Sequence, residues 1–130
     1  MLISIDTRKS LERIREDLPA ACAARKFGVL GVHDLKAKMA EKGVSYSGDC
    51  LVFEVCNPQQ AKKVLEANPD VSTALPCRIS AYTMPDGRTR LATLRPTDLI
   101  DIFNSRELRE VACEVEETLH AIMKEAAGSS

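Results

Sequence analysis

The stretch from Leu51 to Pro96 constrains the fold of this chain more than any other. A β-rich run ends at Cys56-Asn57-Pro58, a short helical pattern follows, and Leu75-Pro76-Cys77 opens the next β-rich run. Asn at an N-cap with Pro at the first helical position is a strong helix start. The Asn oxygen accepts from first-turn N–H groups, and Pro lacks an N–H that would otherwise go unpaired. Asn68-Pro69 stops that helix through Val64 and Leu65. The grammar thus places Cys56 at a strand-to-helix junction and Cys77 at a strand start.

The rest of the chain reads around this centre. Met1 to Asp6 alternates apolar and polar residues, a first strand. Ser10 caps a helix with Leu11, Ile14 and Leu18 at helical spacing, Pro19 predicts a kink or restart before Ala20 to Lys26, and Gly28 punctuates the end. Phe27 to His33 reads as a second strand whose two glycines predict a bulge or a close approach. Asp34 caps a short helix with Leu35 and Met39, ended by Gly43. In the third strand, Asp49 to Cys56, Leu51, Phe53 and Val55 take one face and Cys50, Val52, Glu54 and Cys56 the other. Pro76 to Met84 and Arg88 to Arg95 form a hairpin around Pro85-Asp86-Gly87. A short helical turn follows Pro96. A last helix from Ser105 to Ala126 carries Leu108, Val111, Val115, Leu119 and Ile122 as an apolar stripe. The order predicts an α+β fold: a two-layer sandwich with a mixed sheet of about five strands packed by helices. Residues 1–127 form one domain, and 128–130 a flexible tail.

Charge and cysteine usage narrow the function classes. With 18 basic and 19 acidic residues, the chain lacks the cationic surplus that nucleic-acid binding draws on. At 4% aromatic residues and no Trp, it has little from which to build a base-stacking platform. No apolar run approaches the ~20 residues of a membrane span, and no secretory leader is visible. The cytoplasm is the expected compartment, where Cys22, Cys50, Cys56, Cys77 and Cys113 stay reduced. Their spacings hold no Cys-x-x-Cys and no metal-ligand repeat, so no metal site and no cofactor are expected.

The block Phe27 to Asp34, with Val55-Cys56-Asn57-Pro58, Leu75-Pro76-Cys77-Arg78 and Arg95-Pro96, resembles domain-of-unknown-function family 302 of small prokaryotic proteins. Cys-Asn-Pro followed about twenty residues later by Leu-Pro-Cys is the specific part of the likeness, which runs from the first helix to about Phe103. The resemblance implies a compact two-layer α/β fold that associates as a homodimer, and it brings no activity. This chain has Glu54-Val55 before Cys-Asn-Pro, where many members have a Gly, and Ser72-Thr73-Ala74 where a more apolar run is usual.

Six residues are candidates for chemistry. Cys56 lies beside a helix N-terminus, which favours a thiolate, although a free Cys more commonly acts as a small buried hydrophobe. Asn57 is accounted for as the cap. Cys77 pairs with Cys56 if the two strands adjoin; two thiols are half of a tetrahedral metal site, with His33 as a third ligand. His33 is otherwise a general base or a hydrogen-bonded structural residue. Glu54, in mid-strand, is expected to pair with an Arg such as Arg78 or Arg90. No Ser-His-Asp set, phosphate-cradling loop or His-x-x-x-His pair occurs. Two functions follow: a non-enzymatic module binding a small ligand or a protein, or a thiol-dependent redox or sulfur-handling protein using Cys56 and Cys77. The residues leave open whether the protein is an enzyme.

Overall fold

Strand alternation builds the core. In the computed structural model, which describes residues 1–128, strand β3 (Cys50–Cys56) buries Leu51, Phe53 and Val55 and leaves the residues between them half-buried. Strand β1 (Leu2–Thr7) adds Ile3, β4 (Cys77–Thr83) adds Ile79 and Ala81, and β5 (Thr89–Leu94) adds Leu91. Helix α1 (Leu11–Ala23) lays Ile14, Leu18 and Cys22 on this face, and α5 (Arg106–Ala127) lays Leu119, Ile122 and Met123 beside them. Each such side chain, fully withdrawn from water, contributes roughly 1.5–3 kcal/mol. The result is an α+β sandwich of one five-stranded sheet and one helical layer.

The strand order is β1-β5-β4-β3-β2, with β2 spanning Gly28–Asp34, and every neighbouring pair is antiparallel. A mixed sheet was expected from the strand–helix–strand order. Here neither α2 (Leu35–Glu41) nor the segment with α3 (Pro58–Ala67) crosses the sheet. Each leaves and re-enters at one end, so the next strand runs back beside the last.

Two expected punctuation marks act differently. Helix α1 continues through Pro19, because its buried face persists at helical spacing from Ile14 to Leu18 and Cys22, and that packing outweighs one lost hydrogen bond. The left-handed residue after α1 is Lys26, at φ +63°, not Gly28. The bulge expected from the glycines of β2 is present: register shifts between Val29 and Gly31, leaving Leu30 unpaired and 65% exposed. Gly43 and Gly87 take positive φ where a helix and a hairpin turn end. Gly128, first of the expected tail residues, is the half-buried C-cap of α5; Ser129 and Ser130 lie outside the described residues.

The other sheet face carries Ser4, Asp6, Val52, Glu54, Ser80, Tyr82, Arg90 and Ala92, in register across four strands. It is semi-polar, as the alternation in β4 predicts. No helix among the described residues is long and apolar enough to cross a membrane.

Candidate ligand-binding site

A second apolar cluster lies beyond the end of the sheet. Val64 comes from α3, Val71 from the 3₁₀ segment Pro69–Ala74, Ile100 from α4 (Pro96–Ile100), and Leu108, Val111 and Ala112 from the first half of α5. Val115 packs against both this cluster and the main core. Between them a cavity of about 310 Å³ opens where β3 ends and β4 begins. Its walls include Ala61, Ala74 and Ala112, whose short side chains do not fill the space their elements enclose. A void of this size lies at the lower end of the ~300–1,000 Å³ range of small-molecule sites.

The Cys56-Asn57-Pro58 junction forms one rim. Asn57 Oδ1 accepts from Gln59 N at 3.0 Å and Gln60 N at 3.1 Å, and Ala61 N donates to Asn57 O at 2.9 Å. Pro58 has no N–H, so the first-turn donors of α3 are all engaged and none is left for a thiolate at Cys56. The opposite rim is Leu75-Pro76-Cys77, with Leu75–Pro76 in the cis form. Burial pushes the Cys77 thiol up to about 11, nearby Cys56 adds to the rise, and Arg78 opposes it. Burial also raises Cys56. The thiolate that a helix start would favour is therefore disfavoured, because desolvation wins once the helix donors are spent.

The register puts the two cysteines on opposite sides of their strands. Cys77 lies opposite Val55, on the helix-covered face, whereas Cys56 alternates with Val55 and shares the face of Glu54. A disulfide needs Cβ vectors that converge.

Four of the six candidate residues, Cys56, Asn57, Cys77 and Arg78, line the cavity. Glu54 and His33 belong to the other sheet face. There His33 Nε2 and Glu54 Oε1 are 2.8 Å apart, and an Arg78 nitrogen lies 3.6 Å from Glu54 Oε2. The bond to His33 lowers the Glu54 carboxyl below its ordinary value, against its own desolvation, with the charge of Arg78 assisting. Glu54 is thus paired with Arg78, as expected for a mid-strand carboxylate. Among the described residues no three His, Cys, Asp or Glu side chains converge to hold a metal ion.

Sequence reading did not single out Gln60 or the second cluster. Val64 and the α5 stripe look like ordinary core positions, and only Gln60, one turn before Val64 on the same face of α3, breaks the apolar pattern.

The family model for the domain of unknown function DUF302 matches residues 3–126. The crystal structure of an uncharacterized conserved DUF302 protein from Bacillus stearothermophilus is similar over 98% of each chain, at 31% identity and a TM-score of 0.91. No curated protein matches the chain. A match across nearly the whole length, in sequence and in fold, places the chain in the DUF302 family.

Proposed function

We propose that this chain is a small-ligand-binding module whose site is the cavity between the sheet end and the second apolar cluster. The observation that carries this reading is the partly open, largely apolar cavity of about 310 Å³ itself. Concave, largely apolar pockets of this size are where proteins bury small ligands, and this one opens to solvent past Leu94 and Ile102. A ligand that fills it takes apolar wall out of water.

The thiol alternative draws less support. Both thiols at the rim are raised by burial, and the register turns them to opposite faces. At neutral pH they serve as uncharged wall.

The test is a titration with the neutral fluorophore N-phenyl-1-naphthylamine. Saturable one-to-one binding is expected, lost in Ala112→Phe, which fills the cavity from α5. Circular dichroism and melting curves report that this variant is folded. Absence of saturable binding to the folded parent protein, or full binding by the folded variant, would contradict the reading.

We further propose that the protein acts as a homodimer in the cytoplasm, pairing through the open sheet face. Small residues at the centre of that face (Ser4, Ser80, Ala92) allow close approach. They are flanked by acid–base pairs, Asp6 with Arg90 on one side and Glu54 with His33 and Arg78 on the other. A patch holding both charges on each side of its centre can meet its own copy across a two-fold axis. Five strands offer roughly 500 Å² per protomer, so a pair buries about 1,000 Å², at the floor for a specific interface.

A further inference from the structure

The shape of the cavity points to a class of ligand, and this step rests on the binding reading above. Four neighbouring strands, β5, β4, β3 and β2, reach the cavity at one end of the sheet. Leu94 ends β5, Cys77 begins β4, Cys56 ends β3, and Phe27 immediately precedes β2. The register places these ends side by side, with Gly28 opposite Cys56 and Cys77 opposite Val55. Thr93 Oγ1 donates to Arg78 O at 2.7 Å, which ties the end of β5 to the start of β4. The space therefore crosses three strand intervals of about 4.8 Å, roughly 14 Å from Leu94 to Phe27.

A cavity of about 310 Å³ spread over that span has a mean cross-section of roughly 22 Å². It is a slot, long and narrow. Facing the strand ends, its wall is branched aliphatic: Val64, Val71, Ile100, Leu108 and Val111. Phe27, buried at the inner end, is the one aromatic among the described residues of the wall. Ring systems would find no aromatic face to stack on along the slot. The outer end opens past Leu94 and Ile102. The thiols of Cys56 and Cys77, kept neutral by burial, border the slot as small hydrophobes.

Two measures give the length of the occupant. Carbon–carbon bonds of ~1.5 Å advance an extended chain by about 1.25 Å each, so roughly 14 Å takes about eleven or twelve carbons. A dry void of ~150 Å³ holds the six carbons of one benzene, so about 310 Å³ holds about twelve. We propose that the cavity takes one unbranched alkyl or acyl chain of about ten to twelve carbons, laid across the sheet end with its polar head in solvent past Leu94 and Ile102. Affinity comes from apolar wall and chain withdrawn from water together. The site measures length, and the head stays outside it.

The experiment displaces bound N-phenyl-1-naphthylamine with n-alkanoates and with alkyltrimethylammonium ions of six to fourteen carbons, below their micellar concentrations. On the parent protein, affinity should rise about fourfold per added methylene and stop rising near about twelve carbons, with both head groups. Undecanoate should bind at least about tenfold more tightly than 1-adamantanecarboxylate, which packs as many carbons into a cage wider than the slot. Val115 lies where the cavity meets the main core. Val115→Phe should move the break to shorter chains, and Phe27→Leu, which opens the inner end, should move it to longer ones. Circular dichroism reports that each variant is folded, and opposite shifts cannot both come from lost stability. Overturning results are no break with chain length, a break in one head-group series alone, or equal binding of cage and chain. A break that stays in place in both folded variants, or failure of every chain to displace the bound fluorophore, also overturns the inference. In those cases the binding reading itself stands. If neither the fluorophore nor any chain binds, that reading fails and the inference with it.

Discussion

At Cys56 two effects oppose each other: a helix N-terminus favours a thiolate, and burial disfavours it. Burial prevails here and at Cys77, because Asn57 takes the helix donors that a thiolate would use. Native-state alkylation at pH 7.5, resolved by mass spectrometry, should therefore modify exposed Cys113 well before Cys56, Cys77 or buried Cys22. Fast labelling of Cys56 would revive the thiol reading. Burial also raises Cys22 from 9.0 to about 11. Above pH 9 the unfolded chain releases protons that the native state still holds, so stability is full below 9 and falls as pH rises toward 11. For Cys22 alone the full loss is about 3 kcal/mol. Urea unfolding from pH 8 to 11 should show this decline, and Cys22→Ala should flatten it.

Local signals account for most of what the sequence disclosed about the helices and strands. The cap at Asn57, the stop at Asn68-Pro69, the turn at Gly87 and the two faces of β3 depend on neighbouring residues, and each is found where the residues predict it. Partners distant in the chain decide the rest. Antiparallel pairing of β2, β3 and β4 depends on where α2 and α3 return the chain, and continuity of α1 through Pro19 depends on the sheet beneath it. A cavity cannot be read from residues that each look like core; its wall includes Ala61, Ala74 and Ala112, brought together from three separate elements. Gln60 was the one local clue. The cap itself gives a direct test. Asn57→Ala should cost roughly 1 kcal/mol of unfolding free energy in denaturant melts, by freeing the N–H groups of Gln59 and Gln60. Asn57→Asp should cost little. An unchanged midpoint in Asn57→Ala would mean that tertiary packing alone fixes the helix start.

The two layers leave one sheet face uncovered by helices and a cavity at one sheet end, and the proposed dimer and ligand would occupy them. Sedimentation at micromolar concentration should give a species of twice the 14.3 kDa chain. Ser80→Arg, which sets a new cation at the centre of the open face, should shift it to the monomer with its circular dichroism unchanged. A monomer at all concentrations for the parent protein would remove the dimer proposal and leave the cavity untouched, since the two lie on different parts of the molecule.

The cavity is the central claim, and methyl NMR of the intact protein tests it most directly. On titration with N-phenyl-1-naphthylamine, the methyl signals of Val64, Val71, Ile100, Leu108 and Val111 should shift along one saturable curve. Those of Leu51 and Ile79, sealed in the main core, should stay in place. Saturable shifts confined to the first set are the predicted result. Shifts spread over the open sheet face, or none at the second cluster while the probe binds elsewhere, would contradict it.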